Sequence, residues 1–332
     1  MSGHSDEIAI KLLGHLRNSP DKSFAIPDLA RKFSTRVKVI NEALKGLVLW
    51  GYKFDFDNTS RARFVSAPDS IFPHEINHYL KTNFFGRNVI SHFSVPSTNS
   101  LAFRLADEGA TEGTLVIADK QTEGRGRLGR RWQSPTKLGL WMSLILRPSQ
   151  PPAELPALSI VTATALAETI SDKLKLDARI KWPNDCLIDG RKVAGILTEL
   201  SGELDKARFV VVGAGINVNQ MSRDFAPYIR KRATSLRIEA GAVVNRIEFL
   251  ADFLLRFENL YLKFKKKGLK PLLPGIKKRS SLLGRQVRLK RGSKTILAKA
   301  IDISAEGALL VRRRKEVLRV TAGEVTVIED ET

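Results

Sequence analysis

The chain has a single cysteine, Cys186, among 332 residues. No internal disulfide can form, which excludes a small secreted scaffold held by cystine bridges and a zinc centre built on cysteine pairs. Cys186 has no histidine beside it in sequence, and burial is the expected fate of such a lone thiol rather than nucleophilic use. Acidic residues are scarce too: 35 Asp and Glu face 55 Lys and Arg, a net charge of +20. That imbalance implies anionic ligands or polyanionic partners, nucleic acid first among them. Part of the excess, at residues 263–267, 277–279 and 312–315, reads equally well as solvated surface. Long apolar runs are missing. As far as Pro20 the apolar residues are interrupted by His4, Asp6, Glu7, Lys11 and Arg17. Neither a signal-peptide core nor a spanning helix is expected, and the reading is a soluble cytoplasmic protein that engages no membrane. There is no Walker loop, no complete Rossmann fingerprint and no internal repeat.

What is present is apolar material, 43% of residues, enough for two or three cores at this length. Ile8, Leu12, Leu13 and Leu16 recur at helical spacing, and Ile26–Lys32 reads as a second, short helix. A tight turn follows at Phe33 and Ser34. Thr35 can then cap a third helix with Val39, Ile40, Leu44 and Leu47 on one face and Arg36, Lys38, Asn41 and Lys45 on another. Strict alternation over 52–56, a turn at Asp57-Asn58 and a returning strand at 61–65 predict a hairpin. Together these predict a winged helix-turn-helix over residues 1–66, with the helix-turn-helix at 26–45. In it Arg36, Lys38, Asn41 and Lys45 would face the major groove of DNA, and Arg61 and Arg63 of the hairpin its backbone. A protein-interaction module of the same shape is the other reading.

Over residues 84–270 strand-like runs (115–118, 140–146, 209–212) alternate with helical ones (158–174, 247–262), which predicts an α/β or α+β domain. Beyond Pro271 and Pro274, short strands at 286–290, 294–301, 308–312 and 316–321 predict a small β-barrel over residues 271–332.

The central domain carries the chemistry. Gly124-Arg125-Gly126-Arg127-Leu128-Gly129-Arg130, followed by Arg131 and Trp132, packs three glycines and three arginines into one loop between two strands. Glycine lets backbone approach a ligand, and guanidinium donates bidentate hydrogen bonds to carboxylate or phosphate, so the loop is suited to wrapping an anion. Three further segments share its polar, tight character. Ser97-Thr98-Asn99 offers hydroxyls and an amide, or caps a helix; Lys181-Trp182-Pro183-Asn184-Asp185 sets a point charge before a turn that bonds its own backbone, a ligand or a metal; Gly213-Ala214-Gly215-Ile216-Asn217 follows an apolar strand. With Gln121 they are candidates for one pocket.

That ordered set, together with Val193-Ala194-Gly195-Ile196-Leu197, resembles the biotin protein ligases, and the N-terminal module makes the resemblance one to the bifunctional ligase and repressor type. The resemblance implies an α+β multidomain chain: a winged helix-turn-helix, a central α/β domain with a mixed sheet like that of class II aminoacyl-tRNA synthetases, and an SH3-like C-terminal barrel. It implies ATP and biotin as substrates, Mg²⁺ with the triphosphate, and transfer of biotin from biotinyl-5′-AMP to a lysine of a biotin carboxyl carrier domain. By the same resemblance Ser97, Thr98, Asn99, Gln121, Gly124, Arg125, Gly126, Arg127, Lys181 and Gly195 would bind biotin. Arg127, Arg130, Trp132, Asn184 and Asn217 would bind ATP. Arg127 and Lys181 would offset the repulsion between the two reacting anions, and Asp185 would act as base or by orientation. Operator DNA and a second copy of the chain, paired when adenylate is bound, are the further partners implied; a ligand-sensing regulator without transfer activity and a lipoate ligase are the alternatives.

Overall fold

The computed structural model describes residues 3–203, 207–291, 294–321 and 323–328. The chain divides into two compact units, residues 1–70 and 71–332.

In the first unit α1 (Gly3–Arg17), α2 (Ile26–Lys32) and α3 (Val37–Leu49) bury Leu12, Leu16, Leu29, Ile40, Leu44 and Leu47 against one another. The chain leaves α2 through Ser34 in the left-handed region (φ 50°). Thr35 N donates to Ala30 O at 2.9 Å and Ser34 N to Arg31 O at 3.1 Å, a Schellman-type ending. Thr35 is therefore spent on closing α2 and does not cap α3 as the sequence suggested; the N-cap is Arg36, whose side chain makes no capping bond. The hairpin pairs β2 (Lys53–Phe56) with β3 (Arg61–Ser66), and its turn is pinned by Asp57 Oδ1, which accepts from Thr59 N at 2.9 Å and Thr59 Oγ1 at 2.7 Å. A short β1 (Phe24–Ala25) adds to β3, a third strand too brief to show as alternation.

The second unit is built on a seven-stranded mixed sheet of β4 (Val89–Val95), β5 (Leu115–Gln121), β6 (Gly139–Leu146), β7 (Ala178–Lys181), β8 (Asp185–Ile188), β9 (Arg191–Gly202) and β10 (Ala207–Asn217). Its order is β4-β5-β6-β10-β9-β8-β7; only β4 and β5 run parallel. Alternation sorts the residues onto two faces. Leu140, Met142, Leu144, Val210, Val212 and Ala214 point into the main core, where α6 (Leu158–Leu174) and α8 (Arg246–Lys267) pack, with α4 (Pro73–Tyr79), α7 (Leu236–Ala240) and α9 (Leu273–Arg279) around them. Each fully buried leucine or valine here stabilises the fold by roughly 1.5–3 kcal/mol. On the other face α5 (Thr98–Asp107) covers one end only, through Ala102, Ala106, Val116, Ile145 and Val211. The end it leaves uncovered carries the glycines.

Among the described residues one helical run, Pro152–Leu174, is long and apolar enough to cross a membrane; 78% of its apolar 18-residue stretch is buried, as in a core helix. The C-terminal strands β11 (Gln286–Arg291), β12 (Lys294–Ile303), β13 (Leu309–Arg313), β14 (Glu316–Val320) and β15 (Glu324–Val327) form an antiparallel sheet in the order β14-β13-β12-β11-β15. Its apolar face joins the main core through Val287, Leu289, Ala298, Ala300, Leu309 and Val311.

Candidate active site

Antiparallel pairing places Lys181, Asp185, Gly195, Gly215 and Trp141 in one row across β7, β8, β9, β10 and β6, and directly opposed residues share a face. The next rows toward either end are Ser143-Gly213-Leu197 and Gly139-Asn217. The sequence suggested that the glycines of Gly213–Asn217 follow a strand; they lie inside β10 and are hydrogen-bonded on both sides. Their role is close approach. A Cβ on Gly213 would overlap Asn99 Oδ1, and one on Gly215 or Gly195 would meet the Trp132 ring. The glycines thus form a floor on which side chains from other segments lie flat.

Asn99 is fixed on that floor from three sides: its Oδ1 accepts from Ser143 Oγ at 2.6 Å, and its Nδ2 donates to Glu199 Oε2 at 2.7 Å and Leu197 O at 3.3 Å. Ser97 caps α5 by accepting from Ser100 N. Thr98 donates to Gln121 Oε1 from its backbone N (2.8 Å) and its hydroxyl (3.1 Å), and Gln121 Nε2 donates to Ser134 Oγ at 2.8 Å. Ser97, Thr98 and Asn99 are buried, and Thr98, Asn99 and Gln121, the last residue of β5, are joined in one network through Ser143 Oγ, which lies 2.8 Å from Thr98 Oγ1 and 2.6 Å from Asn99 Oδ1.

The glycine-arginine loop closes on itself. Gly126 N donates to Arg130 O (2.7 Å) and Trp132 N to Gly124 O (2.8 Å). Gly129 supplies a φ of +73°, and a Cβ on Gly124 would overlap Trp132 O. Arg127 Nη1 donates to Asn184 Oδ1 at 2.9 Å, joining the loop to the β7–β8 turn, while Arg125 meets Glu199 at 3.1 Å. Arg130 is exposed. Trp132 lies over the glycines with Lys192 Nζ 5.2 Å from its ring centroid, and its buried Nε1 has no hydrogen-bond acceptor among the described residues.

Lys181, at the end of β7, is half-buried and makes no hydrogen bond or ion pair among the described residues. Asn184 holds its turn through Nδ2 to Ile196 O (2.8 Å). Asp185 opens β8 rather than sitting in the turn, and pairs with Lys192 Nζ at 2.7 Å. Trp182 Nε1 donates to Gly307 O at 2.8 Å, which ties this segment to the C-terminal sheet. Burial, then the neighbouring Asp185 carboxylate, push the Cys186 thiol up to about 12; it is inert, not a nucleophile. Asn217 Nδ2 donates to Thr234 O and its Oδ1 accepts from Gln220 Nε2, both at 3.0 Å. Ser134, Ser143, Lys192, Glu199 and Gln220 all belong to the site, and no local motif marks any of them. The one signal available was the small-residue alternation of β9 and β10, which shows that something lies flat on that face.

In the first unit Arg36, Lys38 and Lys45 are exposed on α3 and Asn41 is half-buried. Arg61 bonds to Ser23 and Arg63 to Asp55.

Mixed sheet, glycine floor and cationic loop are those of the protein ligases that carry cofactor acids: residues 92–217 match the model of the biotin/lipoate A/B protein ligase family, and residues 282–327 that of the biotin protein ligase C-terminal domain. The bifunctional ligase/repressor BirA of Bacillus subtilis is 37% identical over 275 residues, 83% of this chain and 85% of that protein. The biotin–[acetyl-CoA-carboxylase] ligase of Mycobacterium tuberculosis is 30% identical over 69% of this chain and 85% of that one. The biotin protein ligase of Aquifex aeolicus, solved with biotin and ATP, superposes with a TM-score of 0.64 at 33% identity, covering 74% of this chain and all of that one. The chain belongs to the biotin protein ligase family. It is an ATP-dependent ligase.

Proposed function

We propose that the second unit joins biotin to ATP, releasing pyrophosphate, and transfers biotin from biotinyl-5′-AMP to one lysine of a carboxylase carrier domain. The observation that carries this reading is the single row that sets Lys181 beside a glycine floor while Arg127 reaches over to the same turn through Asn184. Biotin lies against Asn99, Thr98, Gln121, Gly195 and the loop residues Gly124 to Arg127; ATP lies toward Arg130, Trp132, Asn184 and Asn217. The biotin carboxylate attacks the α-phosphorus, the bond to the β-phosphate oxygen breaks, and pyrophosphate leaves. Two anions must meet for this to happen, and the Arg127 guanidinium and Lys181 ammonium offset their repulsion and the charge of the transition state. Neither exchanges a proton. Mg²⁺ enters with the nucleotide as its counter-ion; among the described residues no group of three His, Cys, Asp or Glu side chains could hold a metal, so no step is routed through a resident ion.

In the second step the carrier lysine, having given its ammonium proton to solvent, attacks the acyl carbon, the bond from that carbon to the phosphate oxygen breaks, AMP leaves, and the remaining proton passes from the new amide nitrogen to solvent. Asp185, already paired with Lys192, orients rather than abstracts a proton. The loop over the site keeps water from the mixed anhydride.

The first unit is proposed to be a winged helix whose α3 and hairpin bind operator DNA, making the chain a biotin-dependent repressor that pairs with a second copy when adenylate is bound. Its exposed Arg63–Asp55 pair is weak enough to exchange for a phosphate. The three functional parts are residues 1–66, 84–270 and 271–332, the last a small barrel, and no part engages a membrane. Adding biotin and ATP to the purified chain should release pyrophosphate and yield biotinyl-5′-AMP, followed by labelling of a carrier domain. Binding of both ligands without pyrophosphate release would make the chain a sensing regulator instead.

A further inference from the structure

The ligase site uses few of the cations behind the net charge of +20. Many of the rest collect on the C-terminal sheet. Its inner face is apolar, with Val287, Leu289, Ala298, Ala300 and Val311 buried, so alternation turns Arg288, Lys299 and Arg312 outward. Lys299 stands directly opposite Arg312 on the neighbouring strand, with Gln286 on its other side, and Arg288 is opposite Thr326. Opposed residues on adjacent strands are about 4.5–5.5 Å apart, and like charges so placed destabilise a sheet. Arg313, Arg314 and Lys315 continue the charge around the β13–β14 turn, where Arg314 has a φ of 55°. These six cations are exposed, and none makes an ion pair among the described residues. Among the described side chains, Asp302 is paired with Lys277 (2.6 Å) and Glu306 with Arg319 (3.0 Å), while Glu316 faces Arg313 in register without bonding it.

We propose that this outer face is a second nucleic-acid surface, which takes the phosphate backbone of duplex DNA without reading its bases. A protein partner is the less suitable occupant. Protein interfaces are depleted in lysine and anchored by buried aromatic side chains, whereas no aromatic residue occurs between Gln286 and Ile328. The apolar side chains Leu297 and Val317 stand singly, 56% and 54% exposed. The lack of aromatics also removes the stacking platform that single strands need. What remains is an array of guanidinium and ammonium groups with Gln286, Thr295 and Thr326 as neutral donors, the set that contacts phosphate oxygens. Backbone affinity there would hold the chain on DNA near its operator and add to whatever α3 contributes.

The test is a salt series of fluorescence-anisotropy titrations of the full chain against a random-sequence duplex. Substituting Arg288→Gln, Lys299→Gln, Arg312→Gln and Arg314→Gln together should flatten the slope of log K against log salt by about three to four, and weaken binding on the order of tenfold or more at low salt. Pyrophosphate release and carrier labelling should stay at the starting level, which also reports folding. A control carrying Lys263→Gln, Lys266→Gln, Lys267→Gln and Lys270→Gln should keep the original slope. An unchanged slope in the first variant overturns the proposal. So does an equal loss in the control, which would make the effect one of bulk charge. A raised KM for the carrier domain with no change in slope also overturns it and gives the face to a protein.

Discussion

In the proposed reaction, retention of the intermediate rests on Arg127. It leaves a glycine-rich loop to bond Asn184 across the floor, and a charge-assisted hydrogen bond of this kind contributes about 1.5–3 kcal/mol. Arg127→Ala should therefore speed release of biotinyl-5′-AMP roughly 10- to 100-fold, read from a filter assay on preformed complex; an unaltered release rate would contradict the clamp. Cys186 makes a pH prediction. Its thiol titrates at about 12 in the folded chain against 9.0 in the open one. Below pH 9 both forms keep the proton and nothing changes. Above it the unfolded chain ionises first and holds fewer protons, which lowers its free energy relative to the folded chain, so stability falls as pH rises through that window. Urea midpoints from pH 8 to 11 should decline more steeply for the chain than for Cys186→Ala. The loop and the Lys181–Asp185 run are legible in sequence because their chemistry is contiguous. Ser143, Lys192 and Glu199 are not, because strand register alone brings each of them to the floor.

At the scale of elements, α3 begins without a side-chain cap because Thr35 closes α2. A serine at Arg36 would supply the missing acceptor, worth about 1 kcal/mol. Arg36→Ser should raise the melting temperature of the first unit by about 4–8 °C while weakening duplex binding, since it removes one exposed cation; calorimetry and anisotropy on one preparation check both signs, and a stabler unit with undiminished affinity would take Arg36 off the DNA surface. The helices and strands themselves follow the periodicities, α6 and α2 to the residue. Where the reading stops short, as with the glycines of β10, the cause is physical: glycine signals either freedom or close approach, and only the overlying Asn99 and Trp132 tell which.

For the whole molecule, the division at residue 70 predicts separable activities. Removing residues 1–70 should leave carrier labelling within about twofold, an effect of order 0.4 kcal/mol, and abolish any operator-specific gel shift made with biotin and ATP. A truncated chain that loses labelling would show that the units act together. The C-terminal strands are a different case. Their apolar face merges with the main core, and Gly307 accepts the bond from Trp182 of the ligase site, so they cannot be removed without disturbing the chemistry. The local motifs carried the resemblance to the family, while composition and periodicity settled the element types, the cationic loop and the excess of positive charge, because each of these is carried by neighbours along the chain. The floor of the site, the partners of Asn99 and Arg127, the idle thiol of Cys186 and the clustering of unpaired cations on one sheet face were decided only on folding. Each depends on which distant strands lie side by side, a choice made by the burial of whole faces rather than by any single segment.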